Sequence, residues 1–110
     1  MELSKKKCVP CEGGMRQLNS AKVEELLKQI PTWSLKGGHL YKRFEFKNFI
    51  EAMKFLNSVA KAAEREGHHP DFCVHYRKVD FEIWTHAVNG LSDNDFILAA
   101  KIDEIDELVS

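Results

Sequence analysis

Three stretches of the chain carry apolar residues at helical spacing, and the segments between them alternate apolar with polar residues. Val23, Leu26, Leu27 and Ile30 recur at the interval of one helix face, and Pro31 stops the pattern because its ring cannot continue a helix. Ser20 stands where an N-cap belongs, although Glu24 comes one position too late to complete a capping box. Trp33-Ser34-Leu35 predicts a short strand, turned by Lys36-Gly37-Gly38. From Leu40 to Phe46, the apolar Leu40, Phe44 and Phe46 alternate with Tyr41, Arg43 and Glu45, which gives a strand with one apolar face. The two strands form a hairpin.

The longest helix follows. Asn48 can cap it, and Phe49, Ala52, Met53, Leu56, Val59, Ala60 and Ala63 lie along one stripe, opposite Glu51, Lys54, Lys61 and Arg65. Gly67 supplies the left-handed residue that ends such a helix, and Pro70 prevents its resumption. Phe72 to Lys78 and Val79 to His86 predict a second hairpin, turned near Arg77-Lys78. Its second strand places Val79, Phe81, Ile83 and Thr85 on one face and Asp80, Glu82, Trp84 and His86 on the other. Asn89-Gly90 marks a turn, and Ser92 is placed to cap a last helix with Asp93 and Asp95 in its first turn. Leu98, Ile102, Ile105 and Val109 form the apolar stripe of that helix. The order α-β-β-α-β-β-α predicts an α+β fold: a four-stranded antiparallel sheet with helices packed on one face. The other face is expected to be open, partly aromatic and available to a partner subunit or ligand. Trp84 and the edge strands would then leave an apolar patch that favours a homo-oligomer.

Composition narrows the picture. The 110 residues suffice for one domain with a modest core. A formal net charge of −1 argues against a nucleic-acid binder that works by neutralising phosphates. No apolar run approaches a membrane span, and the basic start Lys5-Lys6-Lys7 has no apolar segment behind it. Three cysteines, an odd number, fit a reduced compartment better than a disulfide framework, so a cytoplasmic protein is expected. Residues 1–19 show no regular pattern and form a flexible or lightly docked tail ahead of a domain over 20–110. Cys8-Val9-Pro10-Cys11 in that tail is a CxxC that reads as half of a zinc knuckle, a redox pair or a chance spacing, and two further ligands would have to complete it before it held zinc. No part in catalysis is expected of it.

The candidate chemistry lies in Gly67-His68-His69-Pro70-Asp71-Phe72 and in Trp84-Thr85-His86. Adjacent histidines on a regular element point in different directions, but at a helix-to-loop junction both can turn toward one cavity. Imidazole titrates nearest neutral pH of all side chains, which suits a histidine cluster to moving protons. A rigid helix end is also a good place to position them.

Glu64-Arg65-Glu66-Gly67-His68-His69-Pro70, followed by Tyr76, His86 and Asp95, resembles the spaced signature of the pterin-4a-carbinolamine dehydratases. The resemblance runs from about Ser20 to the C-terminus, and Trp84-Thr85-His86 and Gly90-Leu91-Ser92 also look like segments of that family. It implies the same α-β-β-α-β-β-α fold. It also implies loss of water from a 4a-hydroxytetrahydropterin to give quinonoid dihydropterin, with no metal or redox cofactor required. His68, His69 and His86 correspond to the family's catalytic histidines. Asp95 is implied as a support that orients an imidazole or holds the helix N-terminus, and Glu64, Tyr76, Pro70 and Trp84 as residues that shape the substrate site. His39 and His75 lie outside the signature and are expected at the surface or the edge of the core. Dimers or tetramers are implied as well. A non-catalytic pterin-binding or protein-interaction module, or a role in molybdenum-pterin metabolism, is the alternative reading.

Overall fold

Local sequence rules account for most element ends. The computed structural model describes residues 2–9 and 16–109. Among these, helices α1 (Glu2–Lys5), α2 (Ser20–Leu27), α3 (Phe49–Glu66) and α4 (Asp93–Val109) accompany strands β1 (Ser34–Lys36), β2 (His39–Glu45), β3 (Asp71–His75) and β4 (Lys78–Ile83). The strands form one antiparallel sheet in the order β1-β2-β4-β3, so the two hairpins join through β2 and β4. This is the expected α+β architecture.

Several boundaries differ from the sequence expectation. Asn19, not Ser20, caps α2, because its side-chain oxygen accepts from the Lys22 N–H at 2.9 Å. In α3 the Asn48 cap and the left-handed Gly67 (φ 68°) are as expected, but the stripe is not. Phe55 is fully buried in it, whereas Ala60 and Phe49 are exposed. The second hairpin turns at Tyr76-Arg77, one residue early, with Tyr76 at φ 58°.

β4 stops at Ile83. The Thr85 N–H donates to Gly90 O at 2.8 Å, closing residues 85–90 into a tight loop around a single 3-10 turn, His86–Val88. His86 therefore sits on a turn and not on the strand.

The register Leu40↔Ile83, Lys42↔Phe81, Phe44↔Val79 sets which face meets the helices. Phe44, Phe55 and Phe81 meet there at ring separations of 5.0 to 6.0 Å. Lys42 shares this inner face: its Nζ donates to Asp103 Oδ1 and Thr32 Oγ1, both at 2.7 Å, and lies over the Phe44 ring.

The opposite face is more polar than expected. Tyr41 supplies a ring, but charge pairs fill the centre, where Arg43 donates to both oxygens of Asp80 at 2.6 and 2.8 Å. Those forked bonds hold the Asp80 carboxyl down to about 2.

Every residue of α4 from Asn94 to Ala100 is buried, more than one stripe requires. Leu98 and Ile102 belong to the stripe as expected and Ile105 is half-buried, while the side chain of Val109 lies outside the described residues. Residues 2–9 pack on α4 and help to cover it. Leu3 is buried in the core, Ser4 Oγ donates to Glu104, and Val9 exchanges backbone bonds with the Asn94 side-chain amide at 2.9 and 2.7 Å. Cys11 lies outside the described residues, and among those described no three His, Cys, Asp or Glu side chains gather to hold a metal. No described helix is long and apolar enough to cross a membrane.

Candidate active site

The end of α3, the start of β3 and the loop after β4 surround an open cavity of about 350 Å³ whose lining includes His68, His69, Pro70, Asp71, Trp84, Thr85 and His86. Gly67 makes the turn possible: its left-handed backbone, which L side chains adopt only at a cost, swings His68 and His69 off the helix axis.

His68 is the buried member. Its Nε2 lies 2.6 Å from Asp95 Oδ1, and Asp95 is wholly inaccessible. The second carboxylate oxygen, Oδ2, accepts from Thr85 Oγ1 and from the Ser92 backbone N–H, each at 2.8 Å. Since Thr85 donates to Asp95, the bond between the Ser92 and Thr85 hydroxyls at 2.7 Å runs from Ser92 to Thr85. Ser92 directly precedes α4, and Asp95 reaches back to the Ser92 N–H as the return half of a capping box would. Asp95 thus touches an imidazole and a helix start at once. One oxygen orients an imidazole and the other holds a helix end. Against an ionised Asp95, Nε2 of His68 is the donor, and in the neutral tautomer that leaves Nδ1 as the acceptor.

His69 stands at the rim. Its Nε2 meets Glu64 Oε2 at 2.5 Å, with both side chains more than half exposed, which makes the pair one of orientation with little weight in stability. His86 is exposed too, and among the described residues its ring has no hydrogen-bond partner. It stacks on Trp84 at 3.8 Å between centroids, and the Trp84 Nε1–H points to Asp71 Oδ2 at 3.4 Å.

The cavity thus gathers His68, His69, Pro70, Trp84 and His86, with Asp95 and Glu64 behind two of the imidazoles. Tyr76 is not among them. It is exposed in the turn at the far end of the β3–β4 hairpin, because the strand runs from Asp71 at the cavity to His75 at the turn. His75 is exposed there, 3.6 Å from Asp80.

Sequence reasoning missed Thr85 and Ser92 as polar supports. The signal for Thr85 was available, since a hydroxyl at the end of an otherwise apolar strand face needs a buried partner. His39 lies near the surface as expected, but its contacts were not foreseen. Half-buried, it stacks on Trp84 at 4.4 Å with ring planes 8° apart, and its Nδ1 donates to Glu82 Oε2 at 2.5 Å. The β2–β4 pairing ends at Leu40↔Ile83, and His39 and Trp84 are the next residues on either side of it.

A helix-backed antiparallel sheet places the chain in the class of α+β proteins, and three imidazoles meet at one of its cavities. The family model for pterin 4 alpha carbinolamine dehydratase matches residues 16–105, and the chain belongs to that family. It is 48% identical over 103 residues to "Putative pterin-4-alpha-carbinolamine dehydratase" of Rickettsia canadensis, covering 92% of this chain and 94% of the relative. The protein given the same description in Halorhodospira halophila is 46% identical over 107 residues, covering 96% and 98%. Among solved structures, a transcriptional coactivator/pterin dehydratase from Brucella melitensis superposes with a TM-score of 0.78 at 30% identity, over 82% of this chain and 98% of that one.

Proposed function

We propose that this chain is a cytoplasmic 4a-hydroxytetrahydropterin dehydratase whose residues 20–110 carry the site, with His68, His69 and His86 as its catalytic groups. The observation that carries the reading is that three imidazoles meet at one cavity with the innermost held by the buried Asp95. The reaction removes the 4a-hydroxyl with one proton, takes the proton from N5, and forms the C4a–N5 double bond. It needs an acid and a base on either side of a flat ring. His68 suits the base, because its Nε2–H is engaged with Asp95 and Nδ1 remains as acceptor. His69 and His86, at the exposed rim, exchange protons with water and suit delivery of a proton to the leaving hydroxyl. Trp84 offers a flat apolar surface to the pterin.

The test is dehydration of a freshly formed pterin-4a-carbinolamine by the purified protein. Formation of quinonoid dihydropterin well above the spontaneous rate is expected, and a rate equal to the uncatalysed one overturns the proposal. The description of the Brucella relative also names a coactivator. A stoichiometric protein complex without turnover would favour that reading instead.

A further inference from the structure

Two of the three imidazoles at the cavity have a carboxylate on Nε2: His68 has Asp95 and His69 has Glu64. His86 has none. It opens a single 3-10 turn with no side-chain cap, and its ring rests on Trp84. Trp84 lies one residue past the end of β4, where the sheet register no longer holds it. What holds the indole instead is the near-parallel ring of His39 from β2, together with the long bond to Asp71 from β3. His39 is in turn kept in plane by Glu82, its neighbour on the outer face of the sheet. Offset stacking of flat rings favours one mutual orientation, which is how a surface ring can be held in place.

We propose that His39 is a positioning residue for His86, acting through the stacked indole of Trp84. The role rests on the reading of the cavity as a dehydratase site. His39 does not line that cavity and transfers no proton in it. It narrows the range of indole positions, and the indole narrows those of the His86 ring.

The test compares His39→Ala, which removes the ring, with His39→Phe, which keeps a flat ring without its bond to Glu82, and with Glu82→Gln, which keeps the histidine and weakens its tether. His75→Gln is the control. Proton NMR of the ligand-free protein reads the stack directly, because an imidazole lying over an indole has its ring protons shifted upfield. In His39→Ala the His86 ring protons should lose most of that shift, and kcat should fall about 3- to 10-fold, with a smaller rise in KM because the loosened indole also faces the pterin. His39→Phe should restore both readouts, and Glu82→Gln should fall between. An unchanged His86 shift in His39→Ala, or a Phe variant as impaired as the Ala variant, overturns the proposal. If His39→Ala does not fold, the same decision falls to Glu82→Gln against His39→Phe: His86 shifts that match wild type in Glu82→Gln overturn it. Wild-type protein without turnover defeats the dehydratase reading alone, because the His86 shift still reports whether His39 orients that ring.

Discussion

Asp95 and His68, 27 residues apart in the chain, meet at 2.6 Å where α4 begins and α3 has just ended. Both are buried, and the other oxygen of Asp95 closes the loop that carries His86 through Thr85 and Ser92. One carboxylate therefore ties the two histidine-bearing segments together.

Replacing it should be felt in stability and turnover alike. Asp95→Asn keeps an oxygen for one of the donors but loses the charge that pairs with His68. We expect a loss of about 1–3 kcal/mol, the cost of impairing bonds to a buried group. We also expect kcat to fall by at least about tenfold, below the usual acid–base range because Asp95 acts through His68. Urea unfolding and steady-state kinetics check both, and a variant equal to wild type in each removes Asp95 from the site.

His68→Gln, His69→Gln and His86→Gln should separate the imidazoles by role. Loss of a general acid or base is worth about 10² to 10⁴ in rate. Water loss here also proceeds uncatalysed, so the low end is expected. At least two of the three should lower kcat, and any that only positions substrate should raise KM. Full kcat in all three would place the site elsewhere.

The Arg43–Asp80 pair on the outer sheet face predicts a pH signature. The folded Asp80 carboxyl is held down to about 2 by Arg43, against about 4 for an unperturbed aspartate. A depressed pKa adds stability that is complete above the unfolded value and disappears as pH falls through the folded one. Arg43→Ala should therefore be less stable than wild type at pH 6, and the gap should close between about pH 4 and pH 2. His75 and Tyr41, which also face Asp80, are unchanged in both proteins. Urea midpoints across that range decide it, and a gap of constant size refutes the assignment.

Residues 2–9 should matter for stability more than for chemistry. Leu3 is only 3% exposed, and Leu3→Ala is expected to cost about 2 kcal/mol, the low end for a buried leucine because a chain end can readjust. Thermal unfolding measures this, and an unchanged midpoint would show the segment to be dispensable. Turnover below the melting range should stay near wild type.

Self-association is expected on different grounds from those that the sequence offered. The outer sheet face is dominated by charge pairs. Exposed large apolar residues include Leu35 and Phe72 on the two edge strands, β1 and β3, and Phe49 and Ile50 at the start of α3. We propose a homo-oligomer, a dimer first, that covers part of this surface. Light scattering at micromolar protein checks it, and a monomer mass independent of concentration would refute it.

The patterns that read correctly are local ones. An asparagine before Phe49, a glycine after Glu66 and strict alternation along β4 act within a few residues, so the element types from Ser20 onward, both hairpins and the placement of His68 and His69 beyond a helix end followed from the chain alone. However, α2 ends at Leu27, short of Pro31, and α1 was not foreseen. The residues that complete the site did not. His86 leaves the strand because residues 85 and 90 bond to each other, and alternation cannot report where a sheet partner runs out. Lys42 faces the core because Asp103 waits on another element, and Tyr76 leaves the cavity because the hairpin carries it to the opposite end. His39 joins Trp84, and Asp95 joins His68, only once separate elements are set side by side. Local periodicity records which face a residue takes. Which distant residue meets it there depends on register and packing, and these are settled by burial of the whole core at once.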